Sequence, residues 1–241
     1  MDDEDEETIS VIIDFEQKVN CVRYLGGGIL PSKIHLQTEV IPTEDTVDED
    51  FDIAFTKIKF WFDTIVNRSI IFCRSNEDAF DMLIKDGKPR MANHLIITPS
   101  EPTDEHLAVL FQSKMQALSS DKFNFGQVKI KSNSSNGLMF TYVGSWEEDL
   151  PEMKDWFSAT PYYFETPWWT RNDISTIDMI IGDYDPKTTP LWASKLDFIE
   201  DTLRSDGDRP EIENLPVIIK RSFKPKVING EKPPEDDKTD S

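Results

Sequence analysis

Asp183 and Asp185 stand two residues apart in Gly182-Asp183-Tyr184-Asp185-Pro186, directly after the apolar run 177–181 and ahead of an expected helix over 190–203. Carboxylates placed just past a strand can hold a hard cation such as Mg²⁺ and support phosphoryl chemistry. Two other segments share the order of apolar strand, polar loop and helix. Residues 69–73 lead through Ser75-Asn76 into a helix over 77–85, with Gly87 as its stop. Residues 94–97 lead through Thr98-Pro99-Ser100-Glu101-Pro102 into a helix over 103–118. Their loops add Glu77, Asp78, Glu101 and Asp104. If the three strands are parallel neighbours, the loops meet at one end of the sheet, where α/β proteins bind ligands. Asp104, Asp183 and Asp185 are then the metal ligands of a Mg²⁺-dependent enzyme acting on a phosphorylated or nucleotide substrate. Against this, aspartate at caps and turns needs no metal to explain it.

The densest feature of the chain is aromatic. Trp156, Phe157, Tyr162, Tyr163, Phe164, Trp168 and Trp169 crowd into fourteen residues, with Pro161 and Pro167 between them. Prolines there forbid one continuous helix or strand, so no single stripe can bury every ring. Some rings anchor the segment on the core, and the others form an exposed patch of the kind found at protein–protein hot spots. Glu147, Glu148, Asp149, Glu152, Asp155 and Glu165 surround them, which disfavours base stacking. The expected partner-binding residues are therefore Trp156, Phe157, Tyr162, Tyr163, Trp168 and Trp169, with Glu147, Glu148 and Asp149.

Other patterns fall short of chemistry. Asp48-Glu49-Asp50-Phe51-Asp52 opens like a calcium loop, but Ile53 stands where that loop needs Gly and Lys59 where it needs a bidentate Glu. Gly26-Gly27-Gly28 runs into Ile29-Leu30-Pro31 rather than a helix and lacks the Lys-Ser/Thr pair of a phosphate loop. His35, His94 and His106 share no metal spacing, and Cys21 and Cys73 match no zinc pattern. Neither HExxH nor a nucleophile elbow occurs in the sequence.

Charge narrows the partners. The formal net charge is −20 over 241 residues, and the body is acidic as well as the ends. Such a field repels nucleic-acid phosphates and anionic membranes, and it suits basic proteins, divalent cations or plain solubility. No hydrophobic run approaches the roughly 20 residues that span a bilayer. The acidic start is the opposite of a signal peptide's basic region. These features describe a soluble cytoplasmic protein with no direct nucleic-acid or membrane binding. Its partner is a protein with a basic surface, including one that itself binds nucleic acid.

The elements that must position these residues follow from periodicity. Residues 8–15 and 18–25 read as strands, and 33–41 alternates with Ile34, Leu36, Thr38 and Val40 on one face. Phe51, Phe55, Ile58, Phe62 and Ile65 form one helical stripe behind an acidic start. Leu107, Leu110, Phe111, Lys114 and Leu118 form another, capped by Thr103 or Ser100. Residues 127–131 and 138–143 make a hairpin across the turn-rich 132–137, and 215–220 reads as a last strand. The fold class is α+β (mixed α/β): a largely antiparallel or mixed sheet with about four helices, as a single domain over 8–224. Residues 1–7 and 225–241 read as a disordered acidic start and a flexible tail.

Three functions are compatible with this reading. The first is a non-enzymatic acidic interaction protein docking a basic partner through the aromatic loop, with nucleic acid mimicry as its extreme form. Its composition is of the kind found among viral accessory and assembly proteins. The others are the Mg²⁺-dependent enzyme and a structural subunit of a larger assembly.

Overall fold

The structure is a computed structural model. It describes residues 12–43, 46, 48–85, 88–89, 95–144, 146–156 and 166–178, all within one compact unit, Met1–Asp206.

Two-residue alternation builds the first hairpin. Strand β1 (Ile13–Leu25) pairs antiparallel with β2 (Gly28–Pro42) in unbroken register from Ile13↔Val40 to Leu25↔Gly28. The turn is Gly26-Gly27, with φ of +59° and +76°, a backbone that side-chain-bearing residues resist. The glycine triplet is thus a hairpin turn. Residues 18–25 continue the first strand. Phe15, Val19, Cys21, Ile34, Leu36 and Val40 face the core, while Asp14, Glu16, Lys18, Lys33 and Glu39 face solvent.

The sheet grows from that hairpin in both directions. On one side β7 (Phe123–Ser132) pairs antiparallel with β2, and β8 (Phe140–Tyr142) antiparallel with β7. On the other, β3 (Ile70–Cys73) lies parallel to β1, and β6 (Leu95–Thr98) parallel to β3. The order is β6-β3-β1-β2-β7-β8. This is a mixed sheet in an α+β fold. The parallel half is buried at every position of β3 and β6. That is why Ile70-Ile71-Phe72-Cys73 and Leu95-Ile96-Ile97-Thr98 read as unbroken apolar runs.

Helix α1 (Asp48–Phe60) passes into a π-helical turn (Trp61–Val66). Its stripe packs on the sheet and on a second helix: Phe51 meets Phe123 at 5.1 Å and Phe55 meets Phe15 at 5.5 Å on the strands, and Phe62 meets Phe111, in the helix over residues 104–118, at 5.4 Å. Helix α2 (Glu77–Leu83) is capped by Asn76, whose Oδ1 accepts from Ala79 N–H. It ends two residues earlier than expected, because β4 (Ile84–Lys85) pairs with β5 (Lys88–Pro89) in a small ribbon. Helix α3 (Asp104–Leu118) is capped by Thr103, whose hydroxyl accepts from His106 N–H at 3.3 Å. Short helices α4 (Trp146–Asp149) and α5 (Met153–Trp156) and a 3-10 turn (Trp168–Thr170) complete the described unit. The expected helix over 190–203, the strand over 215–220, Gly87 and both termini lie outside the described residues. No described helix is long and apolar enough to cross a membrane.

Candidate functional site

Parallel pairing brings two of the three strand-to-helix loops together. Cys73 sits opposite Thr98, and Arg74 N–H donates to Thr98 O at 3.0 Å, so the loops after β3 and β6 leave the sheet side by side. They open into a cleft of about 590 Å³ whose far wall is α4 and α5. Ser75 and Ser100 stand on the loop side, and Glu148, Asp149 and Asp155 on the helix side, over Leu150 and Trp156. Of the third unit only its start is described: residues 174–178 run beside β6, with Ile97 N–H donating to Thr176 O at 3.2 Å. Asp183 and Asp185 lie outside the described residues.

Asp104 is committed elsewhere. Alternation along β1, β2 and β7 places Arg23, Ser32 and Ser132 at the polar end of the inward face. The fully buried Arg23 guanidinium meets Asp104 there, at the first turn of α3. Arg23 Nε donates to Ser32 Oγ at 2.8 Å, and Nη1 donates to Pro102 O at 3.0 Å and Asp104 Oδ1 at 2.6 Å. Nη2 donates to Ser132 Oγ and Ser134 Oγ. The Ser132 hydroxyl in turn donates to Asp104 at 2.8 Å. All five guanidinium N–H groups are thereby used, and the Asp104 carboxylate serves an arginine. Among the described residues no group of three His, Cys, Asp or Glu is placed to hold a metal ion.

The aromatic segment is also structural where it is described. Trp156, Trp168 and Trp169 are all buried, with Trp168 at 0% exposure. Trp168 packs against Trp61 and Trp169, and Trp169 against Trp156. Trp168 Nε1 donates to Ile97 O at 2.9 Å, and Trp156 Nε1 to Asp178 Oδ2 at 2.9 Å. These rings are core side chains and present no exposed aromatic surface. Phe157, Tyr162 and Tyr163 lie outside the described residues.

A buried ionic network holds this segment down. Lys114, fully buried on α3, donates to Trp168 O and Arg171 O, both at 2.8 Å, and lies 3.7 Å from Asp173. Burial pushes its pKa down to about 7, opposed by Asp173 and Asp178 and reinforced by Arg171. Arg171 pairs with Asp178, whose carboxyl burial raises and Arg171 and the Trp168 N–H pull back. Asp173 also feels burial, yet Lys114, Arg171 and Ser175 hold it below the ordinary carboxylate value.

What remains exposed is the charge. Glu147, Glu148 and Asp149 are exposed on α4, and Asp155 on α5. Asp149 accepts from the Tyr142 hydroxyl at 2.6 Å. Burial and this carboxylate together raise the Tyr142 pKa. Arg74 is the cleft's cation: Nη1 donates to Trp156 O at 2.7 Å and the guanidinium lies 5.8 Å over the Trp156 ring. Burial lowers its pKa and Asp178 opposes that. Sequence reasoning missed Arg23, Arg74 and Asp178. Lys114 alone carried a signal, since it stands in the apolar stripe of α3.

Fold and site together define a mixed α+β protein with an acidic cleft at the C-terminal ends of two parallel strands. The chain matches no protein-family model, and no curated protein matches it.

Proposed function

We propose that this is a non-enzymatic interaction protein, and that its acidic cleft receives a basic side chain from a partner protein. The carrying observation is the cleft itself, where Glu148, Asp149 and Asp155 stand over Leu150 and Trp156 against Arg74, the one cation among the described lining residues. Lysine and arginine lay their aliphatic stems on apolar surface and keep the charged head among oxygens. The net charge of −20 adds long-range attraction for such a partner and repels polyanions. The docking determinant is thus carboxylate rather than aromatic, because the described tryptophans are spent on the core.

The test is capture of basic partners from the native host by wild-type protein and by Glu148→Lys plus Asp155→Lys. Both side chains are exposed, so folding is unaffected. Capture that weakens as salt rises from about 0.05 to 0.5 M, and fails with the double variant, supports the reading. Capture indifferent to both salt and charge reversal removes it.

A further inference from the structure

The six-stranded sheet has two edges, and the chain treats them differently. The β6 edge is covered: residue 176 accepts from Ile97 N–H, and the Thr176 hydroxyl donates to Leu95 O at 2.6 Å. At the opposite edge, no described residue pairs with the outer side of β8. An uncovered edge offers backbone donors and acceptors to any strand that fits. The flanks of this one are apolar and exposed: Leu138 at 73%, Met139 at 43% and Val143 at 69%. Between Lys131 and Glu147 there is no charged residue, in a chain where 30% of residues are charged. The edge therefore lacks the outward charge or proline that usually keeps strands apart.

We propose that β8 is a self-association edge, pairing antiparallel with β8 of a second copy of this chain about a two-fold axis at Thr141. Charge selects that occupant. Elsewhere, two copies of an acidic protein bring like-charged surfaces together, whereas residues 132–146 carry no charge and the charges beside β8 are of both signs, Lys129 across from Thr141 and Asp149 held by the Tyr142 hydroxyl. A basic partner gains nothing from an uncharged strand. Register gives the second argument. With Thr141 opposite Thr141 of the second copy, Met139 falls opposite its Val143, and Val143 opposite its Met139. Residues two apart share a face, so Met139 and Val143 of both copies gather on one side of the joined sheet. Phe140 and Tyr142 pair across the strands on the other side. Such an isologous contact closes on itself. A three-residue strand supplies few hydrogen bonds, so the apolar flanks carry much of the association and the dimer is reversible.

Sedimentation equilibrium across a concentration series, at low and high salt, tests this independently of the acidic cleft. The wild-type chain dimerises with rising concentration, more strongly in high salt where the repulsion between copies is screened. Thr141→Asp and Thr141→Lys each remain monomeric, because like charges meet directly across the axis. An equimolar mixture of the two recovers the dimer. Val143→Asp, on an exposed flank, gives the same loss, and circular dichroism certifies that each variant is folded. A wild-type chain that stays monomeric at every concentration and salt overturns the proposal. So does a dimer that survives Thr141→Asp, or a mixture that fails to recover it.

Discussion

At the residue scale, two buried cations set the sharpest expectations. Arg23 and Asp104 are both buried and hydrogen-bonded to each other and to Ser132. Removing one partner strands the other's charge, a loss of about 3–5 kcal/mol. Arg23→Met and Asp104→Leu should each lower the unfolding free energy measured in urea by that order, and the double variant by much less than their sum. Strict additivity would mean that the pair is not coupled as the distances require. Lys114 predicts a pH dependence. Its folded pKa is about 7 against an ordinary value of 10.5, so between those limits the unfolded chain binds the extra proton. Stability should then rise as pH climbs from about 7 towards 10, with the full penalty of the buried charge present below 7. Lys114→Met should flatten that rise and cost about 1–3 kcal/mol at pH 8, because Trp168 O and Arg171 O lose their donor. Urea unfolding of both proteins across that pH range checks the slope. An equal slope in the variant places the titration elsewhere.

At the element scale, the segment 166–178 behaves as a strap across α3 and β6. Lys114 and Ser113 grip its carbonyls, Trp168 Nε1 grips β6, and Arg171 and Asp178 lock it internally. Trp168→Ala should destabilise the protein by about 3–5 kcal/mol and expose residues 166–178 to proteolysis. Limited proteolysis with mass-spectrometric mapping of the cuts reads this directly. A variant as resistant as wild type would show that the strap is held without its ring. Loss of partner binding in this variant would consequently report folding rather than docking, which is why the binding test targets Glu148 and Asp155. The strap also marks where sequence reasoning stops. Period-two alternation in 33–41 and the 51–65 stripe were legible because local periodicity determines them, and cap chemistry narrowed the start of α3 to Thr103 or Ser100, of which Thr103 caps it. The choice between buried and exposed tryptophan was not, because it depends on Ile97, Asp178 and Lys114 arriving from elsewhere in the chain. Parallel pairing of β3 and β6 was legible only as a condition, since apolar runs of four residues carry no direction. Asp104 read as a potential ligand for the same reason: its true partner, Arg23, lies 81 positions away.

At the scale of the whole molecule, charge acts in opposite directions on two associations and on the fold. The net charge of −20 repels itself, and salt screens that repulsion over about 10 Å at 0.1 M. The buried pairs Arg23–Asp104 and Arg171–Asp178 are out of reach of such screening. Raising salt from about 0.02 to 0.3 M should therefore raise the melting temperature. A gain of about 1 kcal/mol corresponds to roughly 2–4 °C for a chain of this size. The same titration should weaken capture of a basic partner at the cleft, whose attraction is electrostatic, and strengthen pairing through the uncharged β8 edge. Differential scanning calorimetry at fixed protein concentration, repeated at a tenfold dilution, separates the two stabilising effects. Screening of self-repulsion within one copy is independent of dilution, while a dimer's contribution falls with it. A melting temperature that drops with added salt would contradict the premise that net repulsion dominates, and would mean that attractive surface pairs outweigh the excess of carboxylates.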